Sequence, residues 1–199
     1  IVQSGFPALL GELAISCMMV VGNYTFIKYI GKDGVAAFSI ACYIFPIIYM
    51  VYNGIIQSAQ PIVSFNFGIN DGQRMRDTFL LALKTSVFCG VCFFLISCLF
   101  NSWLIGLFLR PDVPAYKVAL EGLPYFASGY IFFGMNVIVI GYYQSINRGK
   151  FATMLMVQRG IVLMIFSFLI LPKWLGVKGI WLAVPFAEFL LVIFLFFLV

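Results

Sequence analysis

Two carboxylates stand where carboxylates are expensive. Glu12 lies in "PALLGELAISC" and Glu188 in "VPFAEFLLVIF", each walled in by apolar side chains. A carboxylate at that depth in lipid costs at least about 3 kcal/mol, so it has to face a cavity or a partner. Such a group can take up and release a proton, or hold a sodium ion once ionised. That is the chemistry of ion-coupled transport, and it makes Glu12 and Glu188 the ion-coupling candidates. Pro7 lies just before Glu12 and leaves a carbonyl without its helical partner, which favours a pocket there. The structural alternatives are that Glu12 reaches interfacial water, and that Glu188 hydrogen-bonds a neighbouring helix.

A second set of polar groups sits in the same apolar runs. Asn23, Asn53, Gln57, Tyr130 and Asn136 are the candidates for lining a substrate cavity. Asn53 and Gln57 are four apart and share a helix face, and Gln60 follows three later. Amides inside a helix bundle also serve as glue between helices, so both roles stay open. Met18, Met19, Phe132, Phe133, Met135, Tyr142 and Tyr143 would suit greasy cations through cation–π and sulfur contacts, or simply pack.

Other chemistries find no residues. The sequence has no His, and its five cysteines all fall in apolar stretches. Cys89 and Cys92 have CxxC spacing inside an expected membrane helix, without the exposure or partner ligands that redox or zinc chemistry needs. We expect no metal site, no cofactor beyond the coupling ion (a proton or sodium), and no enzyme activity. The net charge of +5 comes from basic residues that mostly sit between apolar runs, where they set topology. Nucleic acid is therefore not an expected partner; membrane lipid is.

These residues must be positioned by membrane helices. The chain is 63% hydrophobic and 10% charged, with 23 Phe among 199 residues, and its mean hydropathy is +1.08. A soluble domain carries about a quarter charged residues. Six runs are long enough to cross a bilayer core, which takes roughly 20 apolar residues in a helix: about 7–29, 35–67, 85–107, 123–145, 152–171 and 180–199. Barrel strands would be shorter and would alternate, which "VFCGVCFFLISCLF" does not. The expected fold class is all-α integral membrane, six helices forming a single transmembrane unit. Pro46 should kink the second helix. "NDGQRMRDTFLLALK" is read as the second connection, "RPDVPAYKVALEG" as the third and "PKWLGVKG" as the fifth. Arg74, Arg76, Lys84, Arg148, Lys150 and Arg159 bias the second and fourth connections toward the cytoplasm, which puts both ends of the chain there too. Arg159 is read as shallow, at a helix start. With no other basic residue deep in a span, cationic cargo is favoured over anionic. "SGFPALLGELA" and "EGLPYFASGYI" hint at a repeat three helices apart. The chain opens on Ile1 and closes inside an apolar run, which leads us to expect a piece of a longer protein.

One string carries a signature. In "NGIIQSAQPIVSFNFGINDGQRMRD" a helix ends with Gln60-Pro61, then Asn66-Phe67-Gly68, then a polar linker with Arg74. This resembles the MATE family, the multidrug and toxic compound extrusion transporters. "GFPALLGELAISCM" is similar to the seventh helix of that family, and "YYQSINRGK" to the turn after its tenth. Physically, Gln60, Pro61, Asn66, Gly68 and Arg74 form a structural or gating element: Pro61 breaks the backbone ladder, nearby amides satisfy freed groups, and Gly68 with Asn70 and Gly72 permits a turn. The resemblance implies a twelve-helix transporter of two six-helix lobes that exchanges protons or sodium for organic cations by alternating access. It implies that this chain is the C-terminal lobe, with the N-terminal lobe of the same protein as partner, in the inner (plasma) membrane. It also places Glu12 where family members carry an essential acid, and Asn136 near a position held by aspartate in sodium-coupled members. A lipid-linked saccharide flippase of the wider superfamily is the alternative.

Overall fold

The computed structural model describes the backbone of residues 2–198, and the side chains of residue 11 and residues 13–197. Within them the chain is helical, without strands: α1 Val2–Tyr29, α2 Lys32–Gly68, α3 Gly72–Leu99, α4 Asn101–Gly106, α5 Pro114–Ala127, α6 Gly129–Ser145, α7 Gly149–Val157, a π-helical segment Gln158–Leu163, and α8 Met164–Leu198. Helices α2 and α3 and the continuous run Gly149–Phe197 are each long and apolar enough to cross a membrane. Helices α5 and α6, bent by 41° at their junction, qualify as a fourth span when taken together. The long last run is divided at Gly176, whose φ of 58° and ψ of −135° are not helical.

Several connections are shorter than the sequence predicts. The polar string after Asn70 is already helix: α3 starts at Gly72, with the Asp71 carboxylate accepting from the Arg74 backbone N–H at 3.1 Å as its N-cap. The third connection becomes helical at Pro114, a favoured first-turn residue. In the fifth, only Gly176 leaves helical geometry. Charged residues there extend helices past the apolar core instead of ending them. Helix α2, at 37 residues, is about 55 Å long against a core of about 30 Å.

Two turns share one design. After α2, Asn70 has φ 57°, the Asp71 N–H donates to the Asn66 carbonyl at 2.9 Å, and the Asn70 N–H to Phe67 at 3.3 Å. After α6, Asn147 has φ 60°, the Arg148 N–H donates to Tyr143 at 3.0 Å, and the Asn147 N–H to Gln144 at 3.3 Å. Both are Schellman caps built on Ile-Asn, with Asn as the left-handed residue. Gly68, expected to make the first turn, is instead the last residue of α2. The two turns lie at the same end of the bundle, where Ser64 Oγ donates to the Ser145 carbonyl at 3.1 Å.

The core has an aromatic knot toward the opposite end. Phe26 of α1 stacks on Phe38 of α2 at 4.5 Å between centroids, and meets Trp181 of α8 edge-on at 4.8 Å. Phe126 of α5 packs edge-on against Phe38. All four rings are buried. Gly129 makes the α5–α6 bend possible against α8, since a Cβ there would sit 2.9 Å from the Pro185 Cα. Outward, α2 presents Tyr43, Ile47 and Met50, each more than 60% exposed. An apolar face of that kind needs lipid or another hydrophobic surface.

Candidate functional site

A cavity of about 200 Å³ opens between α1, α2, α6 and the π-helical segment. Its apolar wall is Ile56, Val137, Ile140 and Met156, and its polar wall is Tyr49, Asn53, Gln57, Gln60, Gln144 and Arg159. Small residues admit the neighbouring helices: a Cβ on Gly11 would lie 3.2 Å from the Tyr49 hydroxyl, and one on Gly160 would lie 3.0 Å from the Ala14 Cα. Gln60 Nε2 donates to Gln144 Oε1 at 3.3 Å across the floor, tying α2 to α6. Asn53 and Gln57, one turn apart, present their amides to the space and have no hydrogen-bond partner among the described residues.

From that wall a triad of two charges and an amide joins α6, the π-helical segment and α8. Arg159 Nε donates to Glu188 Oε1 at 3.0 Å. Asn136 Nδ2 donates to Glu188 Oε2 at 2.7 Å and to the Glu188 backbone carbonyl at 2.9 Å. The Arg159 guanidinium also lies 4.6 Å from the Phe133 ring centroid, a cation–π contact. The Glu188 side chain is 1% exposed and that of Arg159 11%. Such a pair holds together because each charge has both a counter-charge and a hydrogen bond.

This corrects the reading of Arg159. It is not at a helix start. Helix α7 begins at Gly149, so Arg159 lies about 15 Å along the run at the helical rise. It also falls in the π-helical segment, and such insertions commonly mark functional sites. A basic side chain is therefore buried inside the bundle, and cationic cargo is no longer favoured by the lack of one. The fourth connection also loses one of the basic residues counted toward the cytoplasmic bias. The sequence held a usable signal: an Arg well inside one apolar run, matched by a Glu inside another.

The remaining candidates are dispersed. Asn53 and Gln57 reach the cavity, while Asn136 is fully buried behind it. Tyr130 lies in the core, its carbonyl accepting from Tyr52 Oη at 2.9 Å. Asn23 is half-buried and off the cavity wall. Asn66 is buried, its Nδ2 donating to the Ile62 carbonyl at 2.8 Å, one of the carbonyls in the turn after Pro61. Pro61 lies within α2 and is exposed. Arg74 is exposed and pairs with Asp71 at 3.4 Å. The side chain of Glu12 lies outside the described residues; its backbone is in α1, beside Gly11 on the cavity wall.

An all-helical chain with apolar spans, a polar cavity and a signature turn after α2 has counterparts. The family model for MatE matches residues 7–171. The chain belongs to the MatE family. Among curated proteins it is 23% identical to the multidrug export protein MepA of Staphylococcus aureus strain RF122, over 94% of this chain and 41% of that protein. It is also 23% identical to MepA of Staphylococcus saprophyticus, over 90% of this chain and 39% of that protein. The chain thus spans about two fifths of the length of the relatives it matches. Among solved structures, an outward-facing multidrug resistance MATE transporter of the MOP superfamily superposes with a TM-score of 0.90 at 19% identity, covering 98% of this chain and 44% of that one. A MOP superfamily transporter from Pyrococcus furiosus superposes with 0.89 at 18% identity over the same shares. The MatE chain therefore has the membrane-transporter fold, and its apolar helices are those of an integral membrane protein.

Proposed function

We propose that this MatE chain is the C-terminal six-helix lobe of a two-lobe exporter. It moves small organic molecules, organic cations among them, out of the cell by alternating access, in exchange for protons or sodium. The observation that carries this reading is the polar cavity between α1, α2, α6 and the π-helical segment, in a bundle whose outer faces are apolar. A water-accessible polar wall inside a membrane bundle marks a solute pathway. The two asparagine turns share one end of the bundle, and the aromatic knot lies toward the other. We place those turns, with both chain termini, on the cytoplasmic face of the inner membrane. The outward face of α2 would meet the N-terminal lobe.

Both Glu188 oxygens are already engaged, by Arg159 and Asn136. We therefore assign ion coupling in this lobe to Glu12 rather than Glu188. The test is ethidium efflux from cells lacking other pumps that express the two-lobe transporter. Wild type and Glu12→Gln are compared under an imposed proton or sodium gradient. Gradient-driven efflux by wild type and its loss in a Glu12→Gln protein that reaches the membrane support the assignment. Undiminished efflux by the variant would move the coupling site to the other lobe. No efflux by wild type would refute drug export.

A further inference from the structure

The run Gly149–Phe197 holds 49 residues, about twice what one crossing of a bilayer takes, and it turns back at Gly176. The φ of 58° and ψ of −135° there suit a residue without a Cβ. Arg159 before the break pairs with Glu188 after it at 3.0 Å, so the two parts lie side by side. The base of the turn is packed: Leu171, Pro172, Gly179, Ile180 and Trp181 are buried. The tip is not. Residues 173–178 are all exposed, and Trp174 reaches 82%. Trp174, Leu175 and Val177 thus project past the packed base, with Lys173 and Lys178 on either side of them. Lys178 Nζ lies 6.0 Å from the Tyr125 ring centroid. Among the described residues neither lysine forms an ion pair; the ion pairs are Arg74–Asp71 and Arg159–Glu188. The carboxylates of the other connections at this end, Asp33, Asp112 and Glu121, are exposed to solvent.

A turn between two apolar stretches of that length lies at the membrane surface. An indole settles at headgroup level there, and a lysine lays its stem along apolar surface while its ammonium reaches the phosphates. We infer that the 173–178 tip is a headgroup site for an anionic phospholipid. Trp174, Leu175 and Val177 enter the boundary between headgroups and acyl chains, and Lys173 and Lys178 hold the phosphate. Charge selects the occupant. Two ammonium groups without a carboxylate partner are matched by a headgroup of net negative charge, such as phosphatidylglycerol. A choline headgroup brings a cation of its own beside them. An apolar protein surface would cover Trp174 and leave both lysines unmatched. The inference does not depend on the exporter reading. The tip links the run carrying Arg159 to the run carrying Glu188, so a lipid that holds the tip sets the depth of both.

Trp174 is its own reporter. The two-lobe transporter is placed in phosphatidylcholine nanodiscs that contain a rising share of a quencher lipid. The quencher is phosphatidylglycerol or phosphatidylcholine, each brominated near the headgroup. The Trp174 signal is the difference in fluorescence between wild type and Trp174→Phe. Brominated phosphatidylglycerol should quench that signal at a mole fraction at least about tenfold lower than brominated phosphatidylcholine, the size expected of two lysines at an anionic surface. Lys173→Gln combined with Lys178→Gln should be quenched equally by both lipids. Lys173→Arg combined with Lys178→Arg should keep the preference. These positions are exposed, so the substitutions leave the fold intact. Equal quenching of wild type by the two lipids overturns the headgroup site. So does a preference that survives the Gln pair. If neither lipid quenches Trp174, the tip is covered by protein or stands in water, and the inference falls.

Discussion

Removing one member of the Arg159–Glu188 pair should hurt more than removing both. Arg159→Leu leaves a carboxylate that is 1% exposed with only the Asn136 amide for company. Breaking a buried pair from one side costs about 3–5 kcal/mol, because the surviving charge keeps its desolvation penalty. Glu188→Leu should cost less, since the guanidinium retains the Phe133 face, a contact worth about 2 kcal/mol when desolvated. With both positions Leu, no charge is stranded. What remains is the Asn136 donor without its carboxylate partner, a cost of about 1–3 kcal/mol. The double variant should therefore be more stable than Arg159→Leu, with a coupling energy of at least about 2 kcal/mol, well outside the roughly 0.5 kcal/mol scatter of independent sites. The assay is reversible unfolding of the four proteins in mixed detergent micelles, followed by tryptophan fluorescence, with Trp181 in the core as reporter. Additive single costs would refute the claim that these groups form one buried unit.

Other positions give simpler expectations. Gly129→Val places a side chain against the Pro185 backbone, 2.9 Å from the built Cβ, and should lower stability by about 1–3 kcal/mol, the usual overpacking cost, measured by the same unfolding assay. At Asn70, with φ 57°, Gly should be tolerated without loss. Val there should cost at least about 1–2 kcal/mol for the left-handed backbone, read as a lower unfolding midpoint. Asn136→Leu removes one hydrogen bond to the Glu188 carboxylate and one to its backbone carbonyl and should destabilise by about 2–4 kcal/mol, the sum of a charged and a neutral bond.

The apolar runs could be read from sequence because a bilayer imposes their length. Their ends could not, because charge was treated as a loop signal. Arg74, Arg76 and Lys84 lie on α3, and Lys117 and Glu121 on α5; the helices continue there because charged side chains are good helix formers in water. Asp71 before Gly72 was the readable N-cap that marked the true start of α3. The shared face of Asn53 and Gln57 followed from their spacing, and the structure puts both on the cavity wall. Arg159 reads as a helix-start residue from its apolar neighbours, whereas the helix begins ten residues earlier at Gly149. The π-helical segment, which sets where Arg159 points, leaves no periodic trace in so apolar a run. That Glu188 is bound by Arg159 and Asn136 depends on three helical segments meeting, which spacing along one chain does not encode.

The central claim is that the cavity beside Asn53 and Gln57 is the solute's route. It is tested most directly by blocking it. Gln57→Trp puts an indole into a space of about 200 Å³ and leaves the Arg159 and Glu188 side chains unsubstituted. Ethidium efflux is measured in pump-deficient cells expressing the two-lobe transporter, with surface labelling to confirm equal delivery to the membrane. The account predicts efflux reduced at least about tenfold, a loss worth about 1.4 kcal/mol. Efflux at the wild-type rate through a protein carrying that indole would contradict it.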